Sequence, residues 1–239
     1  MICVTDFYAM TPKRYKRITD VLNHRQTGLT VIADQVHKGR NLAAMVRTCD
    51  AVGIDQLHAV IPSEGYQIFN GTAASANNWV DVVYHDNIAA PIDNFKKCGY
   101  QIVAASLNSG AIPFRQIDYT IPTAVVFGAE IKGVSQYVND NVDRNVILPM
   151  MGMVESYNVS VACAILLSEV QRQRQEKGMY DSRQISDDLF IKRFYHWAHP
   201  DIAAYCDKRG LPYPPLREDG EVANPARWYR EVRLKAERK

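Results

Sequence analysis

The sequence lacks most of the signatures that announce a function. No GxGxxG follows any of its apolar runs and no GxxxxGK[ST] marks a phosphate loop, which argues against a dinucleotide-binding enzyme and an NTPase. No GxSxG elbow offers a serine nucleophile. The five cysteines, Cys3, Cys49, Cys98, Cys163 and Cys206, are scattered, odd in number and without a CxxC pair, so neither a disulfide framework nor a thiolate zinc site is expected. His196 and His199 stand three apart with no acidic or thiol partner at ligand spacing, so they are read as structural or surface residues and no metal is expected. No apolar run reaches the roughly 18 residues of a membrane helix. The first 17 residues have no apolar stretch behind a basic start, so no secretory leader is expected. These absences together predict a reducing, cytoplasmic setting and no membrane.

What is present is ordinary globular material. Of 239 residues, 47% are hydrophobic and 23% charged, enough for one sizeable core with terminal additions. The net charge of +2 conceals an asymmetry: residues 1–40 carry +4, residues 41–171 carry −6 and residues 172–239 carry +4. Basic ends around an acidic middle suit a polyanionic partner, although solvated helical faces read the same way. Lys13-Arg14-Tyr15-Lys16-Arg17, with an aromatic between paired cations, favours nucleic acid.

Short apolar strands alternate with helical periodicities. A helix is predicted over residues 12–26, then strands at Leu29–Ala33, Gln56–Ile61, Val80–Tyr84, Gln101–Ala105, Thr123–Phe127 and Asn145–Leu148. Helices are predicted between them at Asn41–Val52, Ile88–Cys98, Val134–Asn141 and Asn158–Lys177, with Gly53, Gly99 and Gly178 as stops. This order predicts an α/β domain with a mostly parallel sheet. Beyond residue 179, Asp187–Arg209 reads as helical and basic, Leu211-Pro-Tyr-Pro-Pro215 cannot be helix interior, and Glu221–Lys239 reads as a basic helix or tail. The expected divisions are 1–28, a basic helical extension; 29–178, the core; and 179–239, a second basic extension.

Three segments carry candidate chemistry. In the first, Asn41 opens an apolar helix that contains Arg47 and ends at Gly53; alone, it reads as an N-cap asparagine and a snorkelling arginine. In the second, the strand Thr123–Phe127 runs into Gly128, with Glu130 and Gly133 following. A glycine at the carboxyl end of a strand lets a ligand approach the backbone. In the third, Ile147-Leu-Pro149-Met-Met-Gly152-Met-Val-Glu-Ser156-Tyr-Asn158-Val-Ser160, a strand passes through a methionine-rich loop into a helix start that suits an anion or carboxylate. Ser156 and Asn158 could be caps only, and the methionines core filling only; the order of the three is what carries weight.

These segments resemble, in order and spacing, the three motifs of the SpoU branch of SPOUT RNA 2′-O-ribose methyltransferases: N-x5-R-T-x-D-A-x-G, G-x-E-x-x-G and I-P-M-x-G-x-V-x-S-x-N-V-S-V-A. Gln35-Val-His37-Lys38, Phe114-Arg-Gln-Ile-Asp-Tyr119-Thr, Gln171-Arg-Gln-Arg174 and Lys208-Arg-Gly-Leu-Pro-Tyr-Pro214 extend the resemblance to members that methylate a D-loop guanosine of tRNA, over nearly the whole chain from about residue 12. The resemblance implies the SPOUT fold, an α/β fold with a C-terminal trefoil knot, S-adenosylmethionine as cofactor, tRNA as partner, and a homodimer. It implies Arg47, Asn41, Glu130, Ser156 and Asn158 at the catalytic centre. It also implies a cofactor site against Ala105, Leu107, Gly128, Leu148 and Tyr157, lined by Met150 and Met153. Ala105-Ser106 stands where such enzymes often have Thr-His, and Tyr157 where Leu is common. The expected RNA contacts are Lys13, Arg14, Lys16, Arg17, Arg172, Arg174, Lys208 and Arg209. Arg47 is usually credited with assisting deprotonation in such enzymes. A guanidinium with a pKa above about 12 is a poor base, so holding an RNA phosphate and stabilising a developing alkoxide suit it better. Two alternatives remain: a ribosomal-RNA ribose methyltransferase, and a non-catalytic RNA-binding protein on the same fold.

Overall fold

The structure, a computed structural model, describes residues 10–61, 78–108, 110–130 and 132–236. Residues His24–Gln184 form one compact unit. Of the described residues, 10–23 together with 185–236 form another.

The larger unit is a seven-stranded sheet, parallel throughout: β1 (Leu29–Ala33), β2 (Gln56–Val60), β3 (Asp81–His85), β4 (Gln101–Ala105), β5 (Ile112–Pro113), β6 (Thr123–Phe127) and β7 (Arg144–Ile147), in the order β3-β2-β1-β6-β4-β7-β5. Every residue of β1 and β6 is buried, as expected of central parallel strands covered on both faces. The side chains of β1, β6 and neighbouring β4 divide with the period of two that a pleated strand imposes. Leu29, Val31, Ala33, Val103, Val125 and Phe127 face one cluster with α2 (Gly39–Ala51) and α5 (Val159–Glu176). Ile32, Ile102, Ala104, Ala124 and Val126 face a second cluster with α3 (Ala89–Lys97) and α4 (Gln136–Asn141). Each fully buried aliphatic side chain contributes about 1.5–3 kcal/mol before conformational entropy is set against it.

The helices follow their apolar spacing. On α2, Leu42, Met45, Val46 and Cys49 occupy one buried face. It ends at Gly53, whose φ of +82° lets Ile54 N–H reach the Cys49 carbonyl at 2.9 Å; a Cβ there would stand 2.6 Å from the His24 carbonyl oxygen. The chain enters α2 two residues before the expected start. Lys38, extended and without a capping bond, takes the N-cap position, which frees the Asn41 side chain for other contacts.

Arg174, near the end of α5, is fully buried. Its guanidinium donates to the carbonyls of Tyr119 (2.9 Å), Gly28 (2.7 Å) and Ile121 (3.3 Å) and to Gln26 Oε1 (3.2 Å). It ties the helix to the chain entering β1 and β6, which corrects its expected place on an RNA-facing surface.

The smaller unit comprises α1 (Pro12–Asn23), α6 (Asp187–Ala198), α7 (Pro200–Arg209) and α8 (Pro225–Ala236). The single helix expected over Asp187–Arg209 is broken at His199. Pro200 excludes the α region for its predecessor, so His199 takes φ −133° and ψ 60° while Pro200 opens α7. The two histidines have structural partners: His196 Nε2 lies 2.8 Å from Asp207 Oδ2, and buried His199 lies 2.8 Å from the Gly220 carbonyl oxygen. The proline-rich run is pinned by Tyr195 O–H, which donates to Pro214 O at 2.6 Å. Among the described residues, no helix is long and apolar enough to cross a membrane, and no group of three or more His, Cys, Asp or Glu converges as a metal site.

Candidate active site

The carboxyl ends of β4, β6 and β7 open into a cavity of about 470 Å³, a volume that suits a nucleoside-sized ligand. Its walls are the segment after β4 (Ala105–Asn108), the loop after β6 (Phe127–Glu130 and Lys132–Val134) and residues between Ile147 and the start of α5. At its rim Asn108 Nδ2 donates to Asn139 Oδ1 at 2.7 Å.

Gly128 shapes the cavity. The loop doubles back so tightly that a Cβ at Gly128 would lie 2.1–2.3 Å from Gly133 C, Gly133 O and Val134 N. Gly133 N–H closes the loop on the Ala129 carbonyl at 2.9 Å. The loop therefore presents backbone and the short Ala129 side chain where β6 ends. Such a wall suits a flat, partly apolar ligand recognised by peptide groups.

The structure joins all three segments. Asn41 from α2 donates through Nδ2 to Glu130 Oε1 in the loop after β6. Asn158, the N-cap of α5, donates through Nδ2 to Asn41 Oδ1 at 3.3 Å. Its own Oδ1 accepts from Ser160 N–H (2.9 Å) and Oγ–H (2.6 Å). Residues distant in sequence thus form one polar chain, with each amide oriented by its neighbours. Glu130 and Ser156 line the cavity.

Of the residues expected to hold the cofactor, Ala105, Leu107, Gly128, Leu148, Met150 and Tyr157 all line the cavity. Met153 is not among its lining residues; its side chain is 99% exposed. Arg47, six residues along α2 from Asn41, is exposed and makes no hydrogen bond or ion pair among the described residues. Lys132, Asn139 and Glu155 also line the cavity and were not anticipated. Proximity to Glu130 and Ser156 was the only signal in the sequence for Lys132 and Glu155, and Asn139, inside α4, had none. Among the expected RNA contacts, Lys13, Arg14, Lys16 and Arg17 on α1 and Lys208 and Arg209 on α7 are exposed. Arg14 donates to Trp197 O at 3.1 Å, and the Arg209 guanidinium lies 3.9 Å from the Tyr205 ring centroid. Arg172 is held by Glu169 (2.7 Å) and Glu176 (2.6 Å), so its charge is largely spent within its own helix.

The chain is a methyltransferase, because it belongs to the SpoU methylase family. The SpoU rRNA Methylase family matches residues 28–168, and its companion family, SpoU, rRNA methylase, C-terminal, matches residues 172–225. More particularly, the chain is similar to proteins named tRNA (guanosine(18)-2'-O)-methyltransferase. It is 40% identical to that of Escherichia coli over 222 residues, covering 92% of this chain and 97% of the relative. It is 43% identical to that of Thermus thermophilus over 187 residues, covering 78% and 96%. The crystal structure of the A. aeolicus TrmH/SpoU tRNA modifying enzyme superposes with a TM-score of 0.74 at 42% identity, covering 80% of this chain and 97% of that one.

Proposed function

We propose that the chain transfers a methyl group from S-adenosylmethionine to the ribose 2′-hydroxyl of guanosine 18 in the D loop of tRNA. The observation that carries the chemistry is the Glu130–Asn41–Asn158 chain beside a cavity walled by Gly128. Support for the substrate is the near full-length similarity to proteins named for that reaction.

The cofactor, when bound, supplies an electrophilic methyl group on a sulfonium. The cavity fits it: Ala105, Leu107, Gly128, Leu148, Met150 and Tyr157 would hold it, mainly through backbone groups. The protein aligns and stabilises. Glu130 and Asn158 fix the Asn41 amide, which positions the ribose. Arg47, exposed and uncommitted, grips an RNA phosphate and lowers the energy of the 2′-oxygen as negative charge develops on it. The guanidinium keeps its proton, so the 2′-hydroxyl proton leaves to an acceptor other than Arg47. Lys13, Lys16, Arg17, Lys208 and Arg209 supply a sequence-independent attraction for the tRNA backbone.

Three further features belong to this reading. The chain after β6 threads a loop to give a trefoil knot; support comes from the strand order, in which β6 enters between β1 and β4 and β7 crosses back beyond β4. The enzyme works as a homodimer; support comes from Met151, Met153, Val154, Tyr157 and Val161, exposed apolar side chains clustered in sequence around Ser156 and Asn158. The site of action is the cytoplasm.

The test is methyl transfer from labelled S-adenosylmethionine to unmodified tRNA transcripts, with the modified nucleotide mapped. Label on the ribose of guanosine 18, with kcat reduced about 10²–10³-fold in Arg47→Ala and S-adenosylhomocysteine binding unchanged, is expected. Transfer to ribosomal RNA alone would keep the chemistry and move the substrate. Cofactor binding without transfer to any RNA would leave a binding protein on this fold.

A further inference from the structure

Asp34, the residue that follows β1, is 1% exposed and belongs to none of the three motif segments. Its backbone N–H donates to the Phe127 carbonyl at 2.8 Å, which continues the β1–β6 pairing one step past the ladder. Its carboxylate accepts, through Oδ2, the backbone N–H of Ser135 at 2.8 Å. Phe127 and Ser135 are the two ends of the loop that carries Gly128, Glu130, Lys132 and Gly133. One residue therefore clamps both ends of the loop that walls the cavity. The other carboxylate oxygen, Oδ1, and the Ser135 hydroxyl are buried and without a hydrogen-bond partner among the described residues.

A buried carboxylate held by a single side-chain hydrogen bond is a costly way to fill space, and an apolar side chain would serve stability better. What the carboxylate adds is position. An acceptor in the protein interior fixes where the Ser135 amide lies, and so sets the span of the loop between it and Phe127. Within that span Gly128 and Gly133 are already too close to admit a methyl group, so a small change in span is transmitted to the Glu130 carboxylate and to the cavity wall.

We propose that Asp34 is a positioning residue for the cofactor pocket, acting through the loop from Gly128 to Val134. This rests on the reading of that cavity as the S-adenosylmethionine site. It predicts a selective defect: weaker cofactor binding with the tRNA surface intact.

The experiment measures S-adenosylhomocysteine binding by calorimetry, alongside tRNA binding without cofactor and the thermal midpoint, for the parent, Asp34→Ala and Asp34→Asn. Asparagine keeps an oxygen to accept from Ser135, whereas alanine does not. Asp34→Ala is expected to weaken S-adenosylhomocysteine binding by about tenfold or more, with tRNA binding unchanged and Asp34→Asn within about twofold of the parent. A folded Asp34→Ala that binds S-adenosylhomocysteine like the parent would overturn the proposal, as would an asparagine variant as weak as the alanine one. Should Asp34→Ala not fold, Asp34→Leu decides. There a leucine at 34 fills the buried volume and accepts no hydrogen bond, and a folded Asp34→Leu with unchanged S-adenosylhomocysteine binding would refute the role. A parent that binds no S-adenosylhomocysteine would sink the cofactor reading itself, and this inference with it.

Discussion

At the scale of the residue, two positions show how differently a glycine and an arginine set limits. Gly128 admits no side chain, because the intruding atom would meet backbone rather than a flexible side-chain tip. Gly128→Ala should therefore cost about 1–3 kcal/mol in overpacking. Opening the loop to relieve that crowding displaces the cavity wall, and at 1.4 kcal/mol per tenfold in affinity S-adenosylhomocysteine binding should weaken by about 5- to 150-fold. Calorimetry that finds parental affinity would show that the loop can open without penalty. Arg174 has the opposite constraint. Its buried guanidinium serves four acceptors, and Arg174→Met would leave them unpaired, at a cost of about 3 kcal/mol or more. Chemical denaturation measures that loss. A variant as stable as the parent would return Arg174 to the surface role its neighbours in sequence suggest. Sequence alone could not separate Arg174 from Arg172: they stand two apart on one helix, and only the packing of α5 decides which is swallowed and which is paired with glutamates.

Elements were legible where local chemistry decides them. β4 and β6 begin and end where their apolar runs do, and α2, α3 and α5 stop at the glycines that mark their ends. The failures have one cause: the deciding partner is remote or the signal is short. The two residues of β5 are too few to carry a pattern. The break between α6 and α7 was hidden because a proline inside a helical periodicity can also open a new helix. In the site, Asn41 and Asn158 looked like interchangeable caps. Asn158 is a cap and a link, whereas Asn41 is a link only, a difference set by where Glu130 arrives. Between β2 and β3, His58 and His85 meet, Nδ1 to Nε2, at 2.9 Å, with Phe95 of α3 edge-on to His58 at 4.9 Å. Burial, and then the neighbouring His85, pull the His58 pKa down to about 4, so the folded state disfavours the protonated ring. The unfolded chain takes up the proton near pH 6.5, so this contribution is intact above that pH and is lost as pH falls through about 4. Urea unfolding at pH 4.5 and 7.5 should show acid destabilisation of about 2–3 kcal/mol from His58, and His58→Leu should remove that part of the pH dependence. An equal acid loss in both proteins would assign it elsewhere.

At the scale of the whole molecule, charge and topology set the terms. The basic helix α1 exposes Lys13, Lys16 and Arg17, and each phosphate contact adds about 0.9 to the dependence of log affinity on log salt for a duplex and about 0.7 for a single strand. Changing all three to glutamine should lower the salt slope of tRNA binding by up to about 2–3, with S-adenosylhomocysteine binding unmoved. A slope equal to the parent's would show that tRNA does not touch that face. The sheet imposes a different order of events. Leu29 pairs with Thr123 and Ala33 with Phe127, so β1 must wait for a partner that emerges from the ribosome roughly 90 residues later. At about 5–20 residues per second that is some 5–20 s. During that interval five consecutive residues destined for the centre of the sheet have at most β2 beside them. A wholly parallel sheet of such non-local pairings also condenses slowly once synthesis is complete. The strand that gives the finished enzyme its rigid centre is, for the nascent chain, its longest-standing adhesive edge, and the yield of active protein in a cell depends on how that edge is sheltered until β6 arrives.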